Sequence, residues 1–122
     1  MEIEHQTLDY KSVRKIRSGD KGFKDLSVSC VAFANAQGGT LYIGIQDDTL
    51  TPNQDQIISE TEVNETVSRL RSLCFNVSLT SSDLLTHENG GQYFKVIVAP
   101  SLKAIATTAD GKIYLRVRDK CE

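Results

Sequence analysis

Residues 34–48, Ala34-Asn35-Ala36-Gln37-Gly38-Gly39-Thr40-Leu41-Tyr42-Ile43-Gly44-Ile45-Gln46-Asp47-Asp48, form the joint between a helix and a strand. Upstream of it Phe23, Leu26, Cys30, Phe33 and Ala34 recur at helical spacing. They predict a helix of about four turns running to Gln37, with Gly38 supplying the positive-φ residue that commonly ends one. Downstream, Thr40 to Gln46 is rich in β-branched and aromatic residues and too short for a helix, so it reads as a strand, central in its sheet, with Asp47 and Asp48 at its C-terminal end. Paired glycines allow a tight reversal, and Gly44 lets a ligand or another backbone come close to the strand. The plain reading of the same glycines is a helix cap and a packing residue. The stretch is not a phosphate loop, because no GK[ST] follows and the strand-to-helix order that aims amide donors at phosphate is inverted.

Outward from this joint the pattern continues in both directions. Thr7 to Lys11 alternates Leu8 and Tyr10 against Asp9 and Lys11, the period-2 signature of a half-buried strand. Arg14 to Gly22 is polar, basic and glycine-bearing and reads as a loop. A second amphipathic helix is written by Val63, Val67, Leu70 and Cys74, with Ser59 or Thr61 as N-cap and acidic residues in its first turn. Val77 and Leu79 suggest a short strand. Asn89-Gly90-Gly91 is a hairpin turn into the strand Gln92 to Ala99, and Asp110-Gly111 is read as turning Ile105–Thr108 into Ile113–Val117. Strand, helix, strand, helix and then mostly strands argue an α+β fold, a mixed β-sheet with two principal helices packed on it. Residues 1–122 read as one domain. The chain stops just after a strand, which suggests the N-terminal part of a longer protein.

Composition bounds the function classes. With 122 residues, 39% hydrophobic and 25% charged, the chain can build a core without disulfide or metal staples. No apolar run approaches the ~20 residues of a membrane span, and Met1 to Lys11 lacks a signal-peptide core, so a cytoplasmic protein with no membrane partner is expected. Cys30, Cys74 and Cys121 are odd in number and lack CxxC spacing. Cys30 and Cys74 fall on apolar helix phases and read as buried thiols.

The net charge of −2 argues weakly against a nucleic-acid partner, but its distribution matters more than its sum. Lys11, Arg14, Lys15, Arg17, Lys21 and Lys24 face a single Asp20 in their segment, and Lys112, Arg116, Arg118 and Lys120 close the chain. Between them, Asp47 to Glu65 carries six acidic residues and no basic one. Two basic segments around an acidic middle can fold into one positive face; the plain alternative is solvated surface charge. Glu4, Asp9 and Asp47 are candidate ligands for Mg²⁺ or Mn²⁺, since clustered carboxylates hold such ions against phosphate. The odd separation of Glu4 and Asp9 puts them on opposite faces of an ideal strand unless the chain bends between them. His5 and His87 are isolated and read as surface residues.

Taken together, Glu4-xxx-Leu8-Asp9-Tyr10-Lys11, the helix end Val31-Ala32-Phe33-Ala34-Asn35-Ala36-Gln37-Gly38-Gly39, the strand Leu41-Tyr42-Ile43-Gly44-Ile45-Gln46-Asp47-Asp48, and the closing Asp110-Gly111-Lys112-Ile113-Tyr114-Leu115-Arg116-Val117 resemble the Schlafen/AlbA_2 domain. That family shows an E-xxx-LEFK opening, an AFANTxGGxLxIGVxDDG centre and a glycine-turn strand ending in YxRV. The match runs in order from about Glu4 to Val117. Asp9 stands where the family has a longer glutamate, Ala104 where a proline commonly follows the lysine, and no Schlafen-type zinc cluster can be built from these cysteines.

The resemblance implies a nucleic-acid-binding domain, DNA or RNA, of the kind found in bacterial transcriptional regulators and divergent AAA-type ATP-binding proteins. On that reading Lys11, Arg14, Lys15, Arg17, Lys21, Lys24, Arg116 and Arg118 hold the phosphate backbone, with no cofactor. It also implies an alternative, a divalent-metal-dependent endoribonuclease using Glu4, Asp9 and Asp47 as metal ligands and catalytic carboxylates, with Lys11 neutralising phosphate. That activity would need a homodimer to complete the Schlafen horseshoe. A sensory or assembly domain feeding a separate effector is a third reading. The chain carries no Walker motif for ATP.

Overall fold

The computed structural model describes residues 4–122; Met1 to Ile3 of the N-terminal stretch lie outside them. The chain runs β1 (Leu8–Lys11), α1 (Arg14–Arg17), α2 (Asp20–Ala34), β2 (Gly39–Ile43), α3 (Glu60–Ser72), β3 (Cys74–Phe75), β4 (Leu79–Ser81), β5 (Leu85–Thr86), β6 (Gln92–Val98), β7 (Thr107–Thr108), β8 (Arg116–Val117) and β9 (Lys120–Cys121). The main sheet has the order β1-β2-β6-β4, with β5 also on β6. β1 pairs parallel to β2 and the other pairs are antiparallel. The fold is therefore α+β with a mixed sheet, as expected from the order of patterns.

Helix α2 forms because its apolar residues return every three or four positions: Leu26, Cys30, Phe33 and Ala34 are completely buried. Each large side chain so buried contributes roughly 1.5–3 kcal/mol. The helix stops at Ala34, one turn before the predicted Gln37, and the Gly38 N–H, at φ 78°, returns to the Phe33 carbonyl at 2.8 Å. That positive φ is costly for any residue with a Cβ. Helix α3 starts with a complete capping box, in which Ser59 Oγ accepts from the Glu62 N–H and the Glu62 carboxylate from the Ser59 N–H. Both helices lie on one sheet face, where Leu26, Phe33, Val63, Val67 and Leu70 share a core with Leu41, Ile43, Phe94, Val96 and Val98. The opposite face carries a smaller cluster of Leu8, Tyr10 and Ile45 against Tyr42, Leu50 and Tyr93.

Three expectations fail. Cys74, read as the last apolar position of the second helix, lies past the end of α3 and belongs to β3. The basic stretch from Arg14 to Gly22 is not a loop: it holds α1 and the start of α2, with only Ser18 and Gly19 between them. Gly22 permits this, because an added Cβ there would overlap the Lys15 carbonyl. The last hairpin also pairs differently. A turn does form at Asp110-Gly111, but Thr107–Thr108 pairs with Cys74–Phe75 and Arg116–Val117 with Lys120–Cys121. Asn35 is the physical reason. Its Oδ1 accepts from the Ala106 N–H at 2.7 Å and its Nδ2 donates to the Ala106 and Tyr114 carbonyls at 2.9 and 3.1 Å, so the end of α2 takes bonds a hairpin ladder would use.

Candidate functional site

The side chains of β1 alternate between the two faces as predicted, but the strand is not half-buried: Asp9 is covered as fully as Leu8 and Tyr10. Leu8 and Tyr10 enter the small cluster, while Asp9 points to the other side, the side of α2. Before β1 the chain bends: His5 and Leu8 exchange backbone hydrogen bonds at 3.1 and 3.2 Å, and Glu4 turns back so that its Oε2 accepts from the Tyr10 N–H at 3.3 Å. The bend brings Glu4 and Asp9 to one place in spite of their odd separation. Asp47 arrives from the parallel neighbour. β2 ends at Ile43, and Gly44 at φ 102° redirects the chain, donating its N–H to the Lys11 carbonyl at 2.7 Å while its own carbonyl accepts from Gln56 Nε2 at 3.0 Å. The neighbour that approaches Gly44 is thus the Gln56 side chain. Glu4, Asp9 and Asp47 all line one open cleft of about 370 Å³, together with Lys11, Asp25, Ser29, Arg116, Asp119 and Cys121.

Asp9 is the buried member, at 3% exposure. Its Oδ2 lies 3.3 Å from Arg116 Nη1 and 3.5 Å from Lys11 Nζ. Burial pushes its carboxyl above the ordinary 3.8, and the charges of Lys11 and then Arg116 oppose that rise. Arg116 is not the phosphate-facing residue the sequence suggested. Its side chain is 1% exposed, Nη2 donates to the His5 and Leu8 carbonyls at 2.9 and 3.2 Å, and the guanidinium lies 4.9 Å from the Phe33 ring centroid.

The other cations divide into two sets. Lys15 pairs with Asp25 at 2.6 Å, and Arg17 grips Glu62 through Nε and Nη2 at 2.9 and 3.0 Å while donating to the Ile57 carbonyl. With Lys11 on Asp9, half of the N-terminal basic segment is neutralised by carboxylates. Arg14, Lys21 and Lys24 are exposed and have no ion-pair partner among the described residues. Lys21 and Lys24 stand one turn apart on α2, on neighbouring rows. Arg118 is exposed at the β8–β9 turn with φ 60°. Asp25 and Asp119 join the cleft without having been read from sequence. No local spacing signals them, since a helix and a terminal turn supply one each.

Among the described residues no three His, Cys, Asp or Glu side chains could together hold a metal ion. Asp9, the central carboxylate, already has a guanidinium and an ammonium on the same oxygen. The cleft does offer a polar recess of mixed charge, lined by Glu4, Asp9, Asp25, Asp47 and Asp119 together with Lys11 and Arg116.

A mixed sheet with both helices on one face, a bent N-terminal strand and a closing YxRV hairpin defines a class of small α+β domain. The family model described as Schlafen, AlbA_2 matches residues 4–122, and the chain belongs to that family. Among solved structures it resembles the DIP2311 protein from Corynebacterium diphtheriae, with a TM-score of 0.65 and 19% sequence identity, over 96% of this chain. That likeness carries the fold alone, and this chain spans 22% of that protein's length. No curated protein matches the chain. Family membership supports a role in nucleic-acid binding. No helix among the described residues is long and apolar enough to cross a membrane.

Proposed function

We propose that this domain binds nucleic acid through the phosphate backbone, using Arg14, Lys21 and Lys24 as the leading contacts. The observation that carries the reading is the division of the basic segment: Lys11, Lys15 and Arg17 are held by carboxylates, whereas these three project into solvent unpaired among the described residues. An unpaired exposed cation gives up little on meeting a phosphate and releases the counterion condensed there. On this reading Lys11, Lys15, Arg17 and the exposed Arg118 contribute less, the first three because carboxylates already hold them. The buried Arg116 supports the scaffold instead. Such a domain suits the DNA-binding part of a transcriptional regulator, a role whose support is the family resemblance.

The experiment is a fluorescence-anisotropy titration of labelled duplex DNA and structured RNA over a salt series. Affinity should fall linearly on a log–log plot, and each lost cation should reduce the slope by about 0.9 on B-form DNA. The triple charge reversal Arg14→Glu, Lys21→Glu, Lys24→Glu should weaken all sequences alike. Binding indifferent to salt would overturn the reading. The gathering of Glu4, Asp9 and Asp47 in one cleft is the observation behind a second reading, the endoribonuclease working as a homodimer; since Arg116 and Lys11 already occupy Asp9, Glu4 and Asp47 would have to carry the ion there. Adding Mn²⁺ to the same titration tests it: RNA cleavage abolished by Asp47→Ala would put the nuclease first.

A further inference from the structure

The Asp9 end of the cleft already contains a cation, and it belongs to the chain. Four groups converge on the Arg116 guanidinium: the Asp9 carboxylate at 3.3 Å, the carbonyls of His5 and Leu8 at 2.9 and 3.2 Å, and Cys121 Sγ at 3.3 Å. The Phe33 ring lies against it, and Nε is buried without a partner among the described residues. One carboxylate oxygen and two backbone carbonyls around a single positive centre are the donors a hard cation would take. The guanidinium meets the carbonyls with the directional N–H bonds that an ion would replace with coordination.

We infer that Arg116 takes the place of a metal ion at Asp9, so that Asp9 is a positioning residue for the N-terminal bend and the closing hairpin and not a ligand for Mg²⁺ or Mn²⁺. Charge argues for this directly. A divalent ion on the Asp9 carboxylate would lie within a few ångströms of a fixed guanidinium and of Lys11, and because the Asp9 and Arg116 side chains are themselves buried, water screens that repulsion weakly. Burial also keeps the guanidinium from swinging aside, since its side chain is 1% exposed. The separation of the partners tells what the pair holds. Asp9 and Arg116 are 107 positions apart, so the same contact closes the first strand onto the last hairpin. The inference holds whether or not the exposed Arg14, Lys21 and Lys24 bind nucleic acid.

The test is Mn²⁺ uptake by the whole chain, read as loss of the free aqueous Mn²⁺ signal in electron paramagnetic resonance, with thermal unfolding alongside. The wild-type chain and Asp9→Asn should behave alike, with neither an Asp9-dependent loss of signal nor a Mn²⁺-dependent rise in melting temperature. Arg116→Gln should take up Mn²⁺ at least tenfold more tightly than wild type. Asp9→Asn combined with Arg116→Gln should lose that gain. Wild-type uptake that disappears in Asp9→Asn overturns the inference, as does a folded Arg116→Gln that gains no affinity. Should Arg116→Gln fail to fold, the comparison of wild type with Asp9→Asn still decides, and Arg116→Lys, which keeps the charge, should exclude Mn²⁺ as wild type does.

Discussion

Asp9 and Arg116 show how much one buried pair can carry. Removing either partner leaves the other charge in a low-dielectric site, so Asp9→Ala or Arg116→Met alone should cost about 3–5 kcal/mol in urea denaturation, while the double replacement Asp9→Leu, Arg116→Met should cost much less. The pH dependence follows from the direction of the Asp9 shift. Its folded pKa lies above 3.8, chiefly through burial, so the folded state holds this proton more tightly than the unfolded one. The contribution is then full below 3.8 and is lost as pH rises through the raised value. The stability difference between wild type and Asp9→Asn should therefore shift against wild type across that acidic window and stay level above it. Glu62 has the opposite sign. The Arg17 hydrogen bond lowers its pKa from 4.5, so its contribution is present above 4.5 and lost as pH falls through the lowered value. Both partners are about a third or more exposed, which limits the pair to about 0–1 kcal/mol. Chemical melts of Glu62→Gln at several pH values across the carboxylate range, roughly 3 to 6, would show it.

At the scale of elements, caps and glycines set where helices and strands begin and end. Ser59→Ala removes half of the α3 capping box and should cost about 0.5–2 kcal/mol by denaturant titration, with α3 fraying first in hydrogen exchange. Gly44→Ala should destabilise as well, because φ 102° disfavours a Cβ and that atom would come within 2.9 Å of Gln56 Nε2. The cysteines follow their elements. Cys30 is sealed inside α2 with its thiol pushed well up by burial, and burial takes Cys74 up to about 11. Neither should react with a disulfide reagent in the native state at neutral pH, while the half-buried Cys121 should react first. The helices and long strands were legible because their evidence is local: Phe23 to Ala34 and Gln92 to Val98 each repeat their own period. The α1 turn was hidden by its polar composition, and the pairing of the closing segment by Asn35, whose side chain works across 71 positions.

Across the whole molecule, charge is sorted by tertiary contact. The acidic middle of the chain does not face the basic N-terminal segment as a separate surface; Glu62 reaches over to take Arg17, and Asp20 in α2 takes Arg69 of α3. Within the N-terminal basic segment Arg14, Lys21 and Lys24 remain without an ion pair among the described residues, so a charge reversal there should weaken nucleic-acid binding far more than one at Lys15 or Arg17, measured in one salt series. The amino-acid sequence by itself determined the α+β class, the strand-helix-strand core and family membership, because hydrophobic periodicity, glycine reversals and motif order are all short-range properties. Only the tertiary structure decided that Glu4, Asp9 and Asp47 share a cleft, that Arg116 is buried against Asp9 and which cations stay free. Asp9 meets Arg116 across 107 positions and Arg17 meets Glu62 across 45, and even the nearer pairs depend on how the strand and helices turn, so no spacing along the chain states which charge a fold will bring to another.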